Sequence, residues 1–277
     1  MTIQEAIQQT VKKFPFQGYM TPANENAKYS YQTIGSTVLK YLKPGSSILD
    51  YGCGPCDNLA ILQLLGYKGY GYDDLLDYWH TLDGNREKIF SFAADCGINF
   101  NLISEGPLKV EKNSFDMVML HDVLEHLHNS PRDLLNYLLD LSTPEGLLFI
   151  TVPNAVNIRK RLSVIFGETN LPPFESYYWY PGSWRGHIRE YVKSDLVSLA
   201  RYLNLEILEL RGCDHMLQKL PKLARPLYHL ATSFFPSWKD SWLLVARKMP
   251  NWSLNKTLSQ HEMAQILNKS TTFRYSE

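Results

Sequence analysis

The sequence predicts an α/β fold in which a doubly wound, mostly parallel sheet carries helices on both faces. Short apolar stretches, typical of buried strands, alternate with helix-like stretches between residues 46 and 154. That alternation favours parallel strands joined by helical crossovers. The chain has 277 residues, of which 44% are hydrophobic and 20% are charged. This length and composition allow one large domain of this class with additions at its ends.

A helical prelude, residues 1–45, is expected before the first strand. We expect helices over Ile3–Phe14 and Tyr29–Leu42, where apolar residues recur at helical spacing. The segment Phe14–Lys28 between them is rich in Pro, Gly and Asn and is expected to form a loop. Lys-Pro-Gly at residues 43–45 ends the second helix, so the sheet begins after it.

The stretch Ser46–Asp57, SSILDYGCGPCD, predicts a buried strand, a glycine turn and the start of a helix. Gly52 and Gly54 lack a Cβ atom, so the chain can turn sharply and a ligand can approach the backbone. The first amides of the following helix would point at that ligand. The stretch therefore predicts a site for a nucleotide-like molecule.

A second predicted strand, Lys68–Asp74, ends in two acidic residues. Asp73 follows Gly52 by 21 residues. At this separation a β-α-β unit brings a carboxylate beside a ribose bound at the glycine turn. A carboxylate accepts hydrogen bonds from both ribose hydroxyls, so we interpret Asp73 as a ribose-binding residue.

The remaining sequence up to residue 154 supplies three further strands. Pro131–Leu141 predicts a clear helix between the last two of them, with Ser130 as its N-cap. The segment Leu75–Ala94 is mixed and partly helical. The strands are expected at Ile98–Ser104, at Phe115–Leu120 and within Thr143–Asn154.

Charge and hydropathy limit the kinds of partner. Lys+Arg and Asp+Glu both number 28, which gives a formal net charge of zero. A nucleic-acid partner is not favoured, because phosphate-backbone binding needs a strongly basic face. No apolar run approaches the length of a membrane span, and the N-terminus lacks the apolar region of a signal peptide. We therefore expect a cytoplasmic protein.

Cys53 and Cys56 spell C-G-P-C, the pattern of a thioredoxin-type redox motif. A thiol oxidoreductase is one hypothesis from this pattern. Gly52 and Asp73, however, are better explained by the nucleotide-like site, and no second C-x-x-C or suitably spaced histidine pair indicates zinc. We interpret the two cysteines as incidental to the glycine turn.

Five stretches in order resemble the motifs of class I S-adenosylmethionine-dependent methyltransferases. The subgroup they resemble includes ubiquinone-biosynthesis O-methyltransferases and glycan-cluster methyltransferases. The resemblance covers about Ser46–Lys248 and implies a Rossmann-like, seven-stranded sheet. The stretches are ILDYGCG, YGYDD, SFDMVMLHDVLEHL, TPEGLLFITVPN and GHIREYVKSDLVSLARYLNLEIL.

The resemblance also implies a division of the chain. Residues 46–248 would form the S-adenosylmethionine-binding domain, with a substrate cap at 155–191 and a helical insertion at 214–239. The tail, 249–277, is polar and is expected to be an appendage.

The resemblance implies S-adenosylmethionine as the cofactor, and the resemblance also implies which residues bind it. The glycine turn would hold the methionine part, Asp73 the ribose, and Ser104 or Glu105 the adenine amino group. His121 would stand where cofactor and substrate meet. The implied cofactor-binding residues are Asp50, Gly52, Cys53, Gly54, Asp73, Asp74, Leu75, Ser104, Glu105 and His121.

The expected reaction is methylation of a hydroxyl on a small molecule, glycan or lipid-linked precursor. The sulfonium methyl is already activated, so catalysis needs alignment and a base for the hydroxyl proton. Histidine is the obvious base, and the candidates are His121, His126 and His187. His187 could instead hold a lid shut. The aromatic segment Phe174–Trp184 is expected to line or cover the substrate pocket.

Asp122, Glu125 and His126 are spaced i, i+3, i+4 and would share one helix face if Asp122 opened a helix. The ubiquinone O-methyltransferases that the chain resembles bind a divalent metal with similar residues. Leu-Glu-His also occurs in the family without a metal, so a metal is not favoured here.

Two alternatives of function stay open. An NAD-dependent oxidoreductase would use the fingerprint G-x-G-x-x-G, but Asp57 stands at the third glycine position. A non-catalytic cofactor-binding protein would share the binding residues without the reaction.

Residues 216–230 place Lys219, Lys222 and Arg225 among leucines. The pattern allows a peripheral membrane contact. A helical cap or a dimer contact is the other interpretation, because Pro221 and Pro226 interrupt a long helix.

Overall fold

The computed structural model describes residues 1–20, 25–169, 171–214, 221–254 and 257–270, with the backbone alone for 25–29 and 269–270. Seven strands form one sheet in the order β3-β2-β1-β4-β5-β7-β6. Strands β1 to β5 run parallel, and β7 is antiparallel to both β5 and β6. The prediction of a seven-stranded, mostly parallel sheet is confirmed. The strands are β1 Ser47–Tyr51, β2 Lys68–Asp73, β3 Asn99–Leu102, β4 Phe115–His121, β5 Ser142–Pro153, β6 Leu205–Cys213 and β7 Ser241–Lys248.

The helices lie between the strands and at both ends of the chain. They are α1 Ile3–Lys13, α2 Glu25–Tyr41, α3 Asp57–Leu64, α4 Asn85–Asp95, α5 Pro131–Leu141, α6 Ile158–Ile165, α7 Phe174–Tyr178, α8 Lys193–Tyr202, α9 Arg225–Phe234 and α10 Gln260–Ser270. Among the described residues, no helix is both long and apolar enough to cross a membrane.

Strand β4 shows how the sheet is covered on both faces. Successive side chains of a strand point to opposite faces. Met117 and Met119 pack into an apolar cluster with residues of α1, α2, α3 and α4. Val118 and Leu120, between and after them, pack into a second cluster with residues of α5 and α8. All four side chains are fully buried, so helices cover both faces, as the sequence predicts.

Local sequence signals fix several helix boundaries. Thr2 and Glu5 form a reciprocal capping box at the start of α1, with hydrogen bonds of 3.2 Å and 2.8 Å between their side chains and backbone amides. Ser130 caps α5, and Pro131 occupies its first turn. These two helices begin where the sequence predicts them.

Two element boundaries and one additional helix differ from the prediction. Helix α2 begins at Glu25, inside the expected loop. Strand β3 is shorter than expected, because Ile103–Glu105 form a single 3₁₀ turn. The polar tail contains α10. Just before it, Ser259 Oγ accepts a hydrogen bond from the Glu262 amide at 3.2 Å. That cap promotes a helix that composition alone did not indicate.

The prelude packs against the glycine turn and the segment after β2. The Tyr31 hydroxyl of α2 donates a hydrogen bond to the Asp57 carboxylate at the start of α3. Phe16 and Tyr19 contact Trp79, with ring centroids 5.3 Å and 5.7 Å apart. The prelude therefore encloses one side of the crevice at the carboxyl ends of β1 and β2.

Candidate functional site

A pocket of about 550 Å³ opens at the carboxyl ends of β1, β2 and β4. The strand order reverses between β1 and β4, and open α/β sheets bind ligands at such a point. Gly52, Gly54 and Asp73 line the pocket, and so do Trp184 and Arg185 of the segment before α8. The volume is within the range of small-molecule and cofactor sites.

The glycine turn has a backbone that an L side chain would strain. Gly52 has a φ of +73° and Gly54 a φ of +51°. A Cβ on Gly52 would lie 2.5 Å from Cγ2 of Val123, whereas a Cβ on Gly54 would meet nothing within 4 Å. Gly52 is therefore required both by conformation and by close packing, and Gly54 by conformation alone.

Asp73 ties the end of β2 to the glycine turn. Its Oδ2 accepts a hydrogen bond from the Gly54 amide at 2.8 Å, and its Oδ1 accepts one from the Leu75 amide at 2.6 Å. Burial raises the pKa of Asp73, and the two amide hydrogen bonds partly oppose that shift. The carboxylate is buried and lines the pocket, so it is positioned to accept from a ligand's hydroxyls as well.

Acidic side chains dominate the site. Burial raises the pKa of Asp50 well above its ordinary value, and the charges of Asp57 and Asp73 raise it further. Asp50 Oδ1 has no hydrogen-bond partner among the described residues. Among the residues that the structure describes, four aspartates and a single arginine line the pocket: Asp73, Asp74, Asp77, Asp122 and Arg185. This arrangement favours a cationic ligand group and disfavours an anionic one.

Arg185 holds the segment before α8 against the pocket. Its guanidinium donates to Asp77 Oδ1 at 2.8 Å and to Asp74 Oδ1 at 2.9 Å. The carbonyl oxygen of Arg185 accepts from His126 Nδ1 at 2.6 Å, and that of Trp184 accepts from His128 Nε2 at 2.7 Å. These hydrogen bonds fix Trp184 and Arg185 to Asp74, Asp77, His126 and His128.

The other predicted cofactor residues take varied places. Asp74 lines the pocket. Leu75 is fully buried, and its neighbour Leu76 lines the pocket instead. Ser104 and Glu105 are exposed in the 3₁₀ turn after β3, where Ile103 faces the pocket. Asp50, Cys53 and His121 stand beside the lining without belonging to it.

Cys53 and Cys56 lie with their sulfur atoms 3.7 Å apart, and both are buried. Burial raises the pKa of Cys53 well above its ordinary value. A reactive redox cysteine needs an accessible thiolate. The geometry therefore does not support the thiol oxidoreductase hypothesis.

The three candidate bases differ in their access to the pocket. His126 lines it, and donation from Nδ1 to the Arg185 carbonyl leaves Nε2 as a hydrogen-bond acceptor in the neutral ring. His187 is not a lining residue. Its ring centroid lies 5.0 Å from that of His126, and its Nδ1 lies 2.7 Å from Glu190 Oε1. His121 contacts Thr151 Oγ1 at 3.2 Å and the Phe149 ring. Of the three, His126 is best placed to meet a ligand.

The expected metal set does not share one helix face. Asp122 has a φ of +53° and opens no helix, and Leu124–His126 form only one 3₁₀ turn. The condition for that shared face, a helix opened by Asp122, is therefore not met. Glu125, His126 and His187 bring possible ligand atoms within 4.8 Å of one another instead. Carboxylate and imidazole donors suit a transition metal, and the Nδ1 contacts of both histidines resemble the outer hydrogen bonds of metal-bound imidazoles.

His80 is a pocket residue that the sequence did not reveal. Its side chain is 4% exposed and lines the pocket, and neither ring nitrogen has a hydrogen-bond partner among the described residues. Burial lowers the pKa of His80, so the ring is neutral and offers one donor and one acceptor. An unpaired buried polar group is costly, which indicates that a ligand completes its hydrogen bonds. Periodicity gave no signal, because His80 lies in a short 3₁₀ turn.

Comparison with known proteins gives one family and many structures of one fold. A model of a methyltransferase domain family matches residues 23–210. No curated protein matched the sequence.

Three solved structures illustrate the shared fold. A SAM-dependent methyltransferase from Methanosarcina mazei is 16% identical, with a TM-score of 0.54 over 77% of this chain and 97% of that one. A SAM-dependent methyltransferase from Aquifex aeolicus is 13% identical, with a TM-score of 0.51 over 90% of this chain and 100% of that one. Magnesium protoporphyrin IX methyltransferase from Synechocystis PCC 6803, solved with bound SAH, is 16% identical, with a TM-score of 0.50 over 87% and 94% of the two chains. Identities this low show likeness of fold.

Proposed function

Since the chain belongs to the methyltransferase domain family, it is a class I S-adenosylmethionine-dependent methyltransferase, and we propose that it methylates a hydroxyl group. The substrate would be a small molecule, a glycan or a lipid-linked precursor. The transfer would be an in-line displacement on the methyl carbon. The observation that carries this proposal is the arrangement of acids, glycines and the imidazole of His126 around one pocket.

The charges of the pocket support S-adenosylmethionine over NAD. Four aspartates and one arginine line the pocket among the described residues, and the excess of carboxylates would attract the ammonium and sulfonium groups of S-adenosylmethionine. NAD carries a pyrophosphate, and the same carboxylates would repel it. Gly52 and Gly54 allow the methionine part to approach the backbone, and Asp73 would accept from the ribose hydroxyls.

The residues of this chain would do little covalent chemistry. Bound S-adenosylmethionine supplies an activated methyl group. His126 Nε2 would accept the proton of the attacking hydroxyl, while its Nδ1–H stays on the Arg185 carbonyl. Arg185, held by Asp74 and Asp77, and Trp184, held by His128, would keep water from the reacting groups.

A search of cell extracts with labelled cofactor can identify the substrate. The purified enzyme is incubated with S-adenosylmethionine labelled in the methyl group and with a small-molecule and lipid extract. The proposal expects a labelled product whose methyl group is bonded to oxygen. A methyl group on nitrogen or carbon would contradict hydroxyl methylation, and cofactor binding with no product from any extract would favour the non-catalytic alternative.

His126→Ala is expected to lower kcat by about 100-fold or more, because general-base catalysis contributes roughly that much. Binding of S-adenosylhomocysteine should change by less than about twofold, since the glycine turn and Asp73 are untouched. His128→Ala is the matched control: it removes the histidine contact to the Trp184 carbonyl and leaves the base in place. An equal loss of kcat in both variants would assign His126 a structural role.

His80→Leu is expected to weaken S-adenosylhomocysteine binding by about tenfold, the effect of losing one or two hydrogen bonds. The unliganded protein should not lose stability, because the change removes an unpaired buried imidazole. Calorimetric titration and thermal unfolding of the unliganded protein measure the two effects. Unchanged affinity would remove His80 from the site.

Exhaustive chelation is expected to leave kcat within about twofold of its starting value, because the sulfonium activates its methyl group without a Lewis acid. The control is the same protein dialysed without chelator. Loss of activity that a divalent cation restores would instead assign a metal to Glu125, His126 and His187.

A further inference from the structure

The most exposed apolar side chains of the described chain lie in three stretches of sequence. Leu223 is 96% exposed, and every large apolar side chain that is at least 70% exposed lies in residues 158–169, 171–180 or 222–235. We call these three stretches, which contain α6, α7 and α9, the docking face. The side chains concerned are Ile165, Phe166, Phe174, Trp179, Leu223, Leu227 and Phe234. Exposed apolar side chains that occur in groups, unlike single ones, indicate an interaction site.

Helix α9 has its apolar side turned outward. Leu227, Leu230 and Phe234 recur at helical spacing and are exposed. The buried side chains of the same helix are Tyr228 and Thr232. The Tyr228 hydroxyl donates to Asp214 Oδ1 at 2.7 Å. A helix that only packs on its own domain has the opposite arrangement, so the outward stripe needs another apolar environment.

Helices α6 and α9 of the docking face are connected to the same end of the sheet. Pro153 at the end of β5 pairs with Ser241 at the start of β7. The Asn154 side chain donates to the carbonyls of Ser237 and Lys239, both at 2.8 Å. The chain that leads into α6 is thereby fixed to the chain that leaves α9.

The docking face carries more basic than acidic residues. Its acidic residues are Glu168 and Glu175, and its basic residues are Arg159, Lys160, Arg161, Lys222 and Arg225. No Asp or Glu occurs between Pro221 and Lys239, and Arg161 and Lys222 are exposed. This excess of positive charge favours an anionic surface. Tryptophan and tyrosine in α7 and its C-cap, with basic residues around an apolar stripe, are typical of helices that lie in a membrane interface.

We propose that the docking face seats the protein on the surface of an anionic lipid bilayer, with the outward stripe of α9 and the aromatic side chains of α7 in the headgroup region. This function does not depend on the identity of the methyl acceptor. Tyr177 on the face contacts Trp184, with ring centroids 5.4 Å apart, and Trp184 lines the pocket. The pocket therefore opens beside the lipid surface, where a lipid-linked hydroxyl could enter it.

Vesicle flotation tests the proposal. The probes are vesicles of phosphatidylcholine and vesicles of phosphatidylcholine mixed with phosphatidylglycerol. The wild type should float with the mixed vesicles, and added salt should weaken this binding. The double change Leu227→Glu and Phe234→Glu should weaken binding by at least about tenfold, because it removes two large apolar side chains from the interface. Arg161→Glu with Lys222→Glu should remove the preference for phosphatidylglycerol.

Val197→Glu is the matched control, since Val197 is 44% exposed on α8, outside the docking face. It should float like the wild type. Binding of S-adenosylhomocysteine by every variant shows that its fold is intact. Failure of the wild type to bind mixed vesicles, or equal binding by the Leu227 and Phe234 double variant, would overturn the proposal. A wild-type dimer that this double variant dissociates would assign the face to a second copy of the chain and would also overturn it.

Discussion

Gly52→Ala is expected to destabilise the protein by about 2–4 kcal/mol and to abolish detectable cofactor binding. Two costs add at this position. The φ of +73° strains any L residue, and the new Cβ would lie 2.5 Å from Val123 Cγ2. Relief of the contact would move either the turn or Val123, and both line the pocket. Urea unfolding and titration with S-adenosylhomocysteine measure the two losses.

Two controls separate the strain from the contact. Gly54 also has a positive φ, but a new Cβ there would meet no atom within 4 Å. Gly54→Ala should therefore lower the free energy of unfolding by only about 1–2 kcal/mol. Val123→Ala, added to Gly52→Ala, should recover part of the loss, because the pair is in contact. A Gly52→Ala variant as mild as Gly54→Ala would contradict the packing described for the turn.

Asp73→Ala is expected to weaken binding of S-adenosylhomocysteine by at least about 100-fold, the effect of losing two charge-assisted hydrogen bonds. The change also removes the acceptor for the Gly54 and Leu75 amides, so the turn itself loses support. Calorimetric titration measures the affinity. A loss of less than about threefold would exclude Asp73 from the ribose site.

Asp73→Asn keeps the shape of the side chain and gives a pH test. Burial raises the pKa of Asp73, so the folded, unliganded protein holds this proton more tightly than the unfolded chain. Its stability should therefore fall as pH rises from the ordinary carboxyl range through the folded pKa. Asp73→Asn should reduce that fall and still weaken cofactor binding. A pH profile of unfolding that the change does not alter would contradict the assigned shift.

The glycine turn could be predicted from sequence because its determinants are local. A buried strand, two glycines and a following apolar helix occupy one short stretch, and Asp73 lies at a separation set by a β-α-β unit. The alternation of strands and helices up to residue 154 followed from periodic signals, and the count of seven strands followed from the family resemblance. The family match at residues 23–210 agrees with the predicted fold.

The part of the pocket lined by Trp184 and Arg185 depends on contacts between residues that are far apart in the sequence. Arg185 binds Asp74 across 111 positions of sequence, and His126 meets the Arg185 carbonyl across 59. No local pattern specifies such pairs. His80 is hidden for the same reason, since only packing of the prelude and the residues after β2 makes it a buried pocket residue.

Two further points depend on backbone conformation that the sequence left open. Asp122 takes a left-handed conformation, so the i, i+3, i+4 spacing with Glu125 and His126 has no helix on which to act. In the described residues, no long helix includes both Pro221 and Pro226, because α9 begins only at Arg225 and Pro226 lies in its first turn. Sequence indicated an amphipathic segment there, but only the packing of Tyr228 reveals that its apolar side faces outward. Of the segment 216–230, residues 216–220 lie outside the described residues.

The choice of cofactor is tested most directly by calorimetry of the wild-type protein with S-adenosylhomocysteine and NAD side by side. The acidic pocket and the glycine turn predict saturable binding of S-adenosylhomocysteine in the micromolar range, about −8 kcal/mol, and no heat of binding with NAD at the same concentrations. Binding of NAD as tight as that of S-adenosylhomocysteine, or no binding of S-adenosylhomocysteine, would contradict the assignment of this pocket to S-adenosylmethionine.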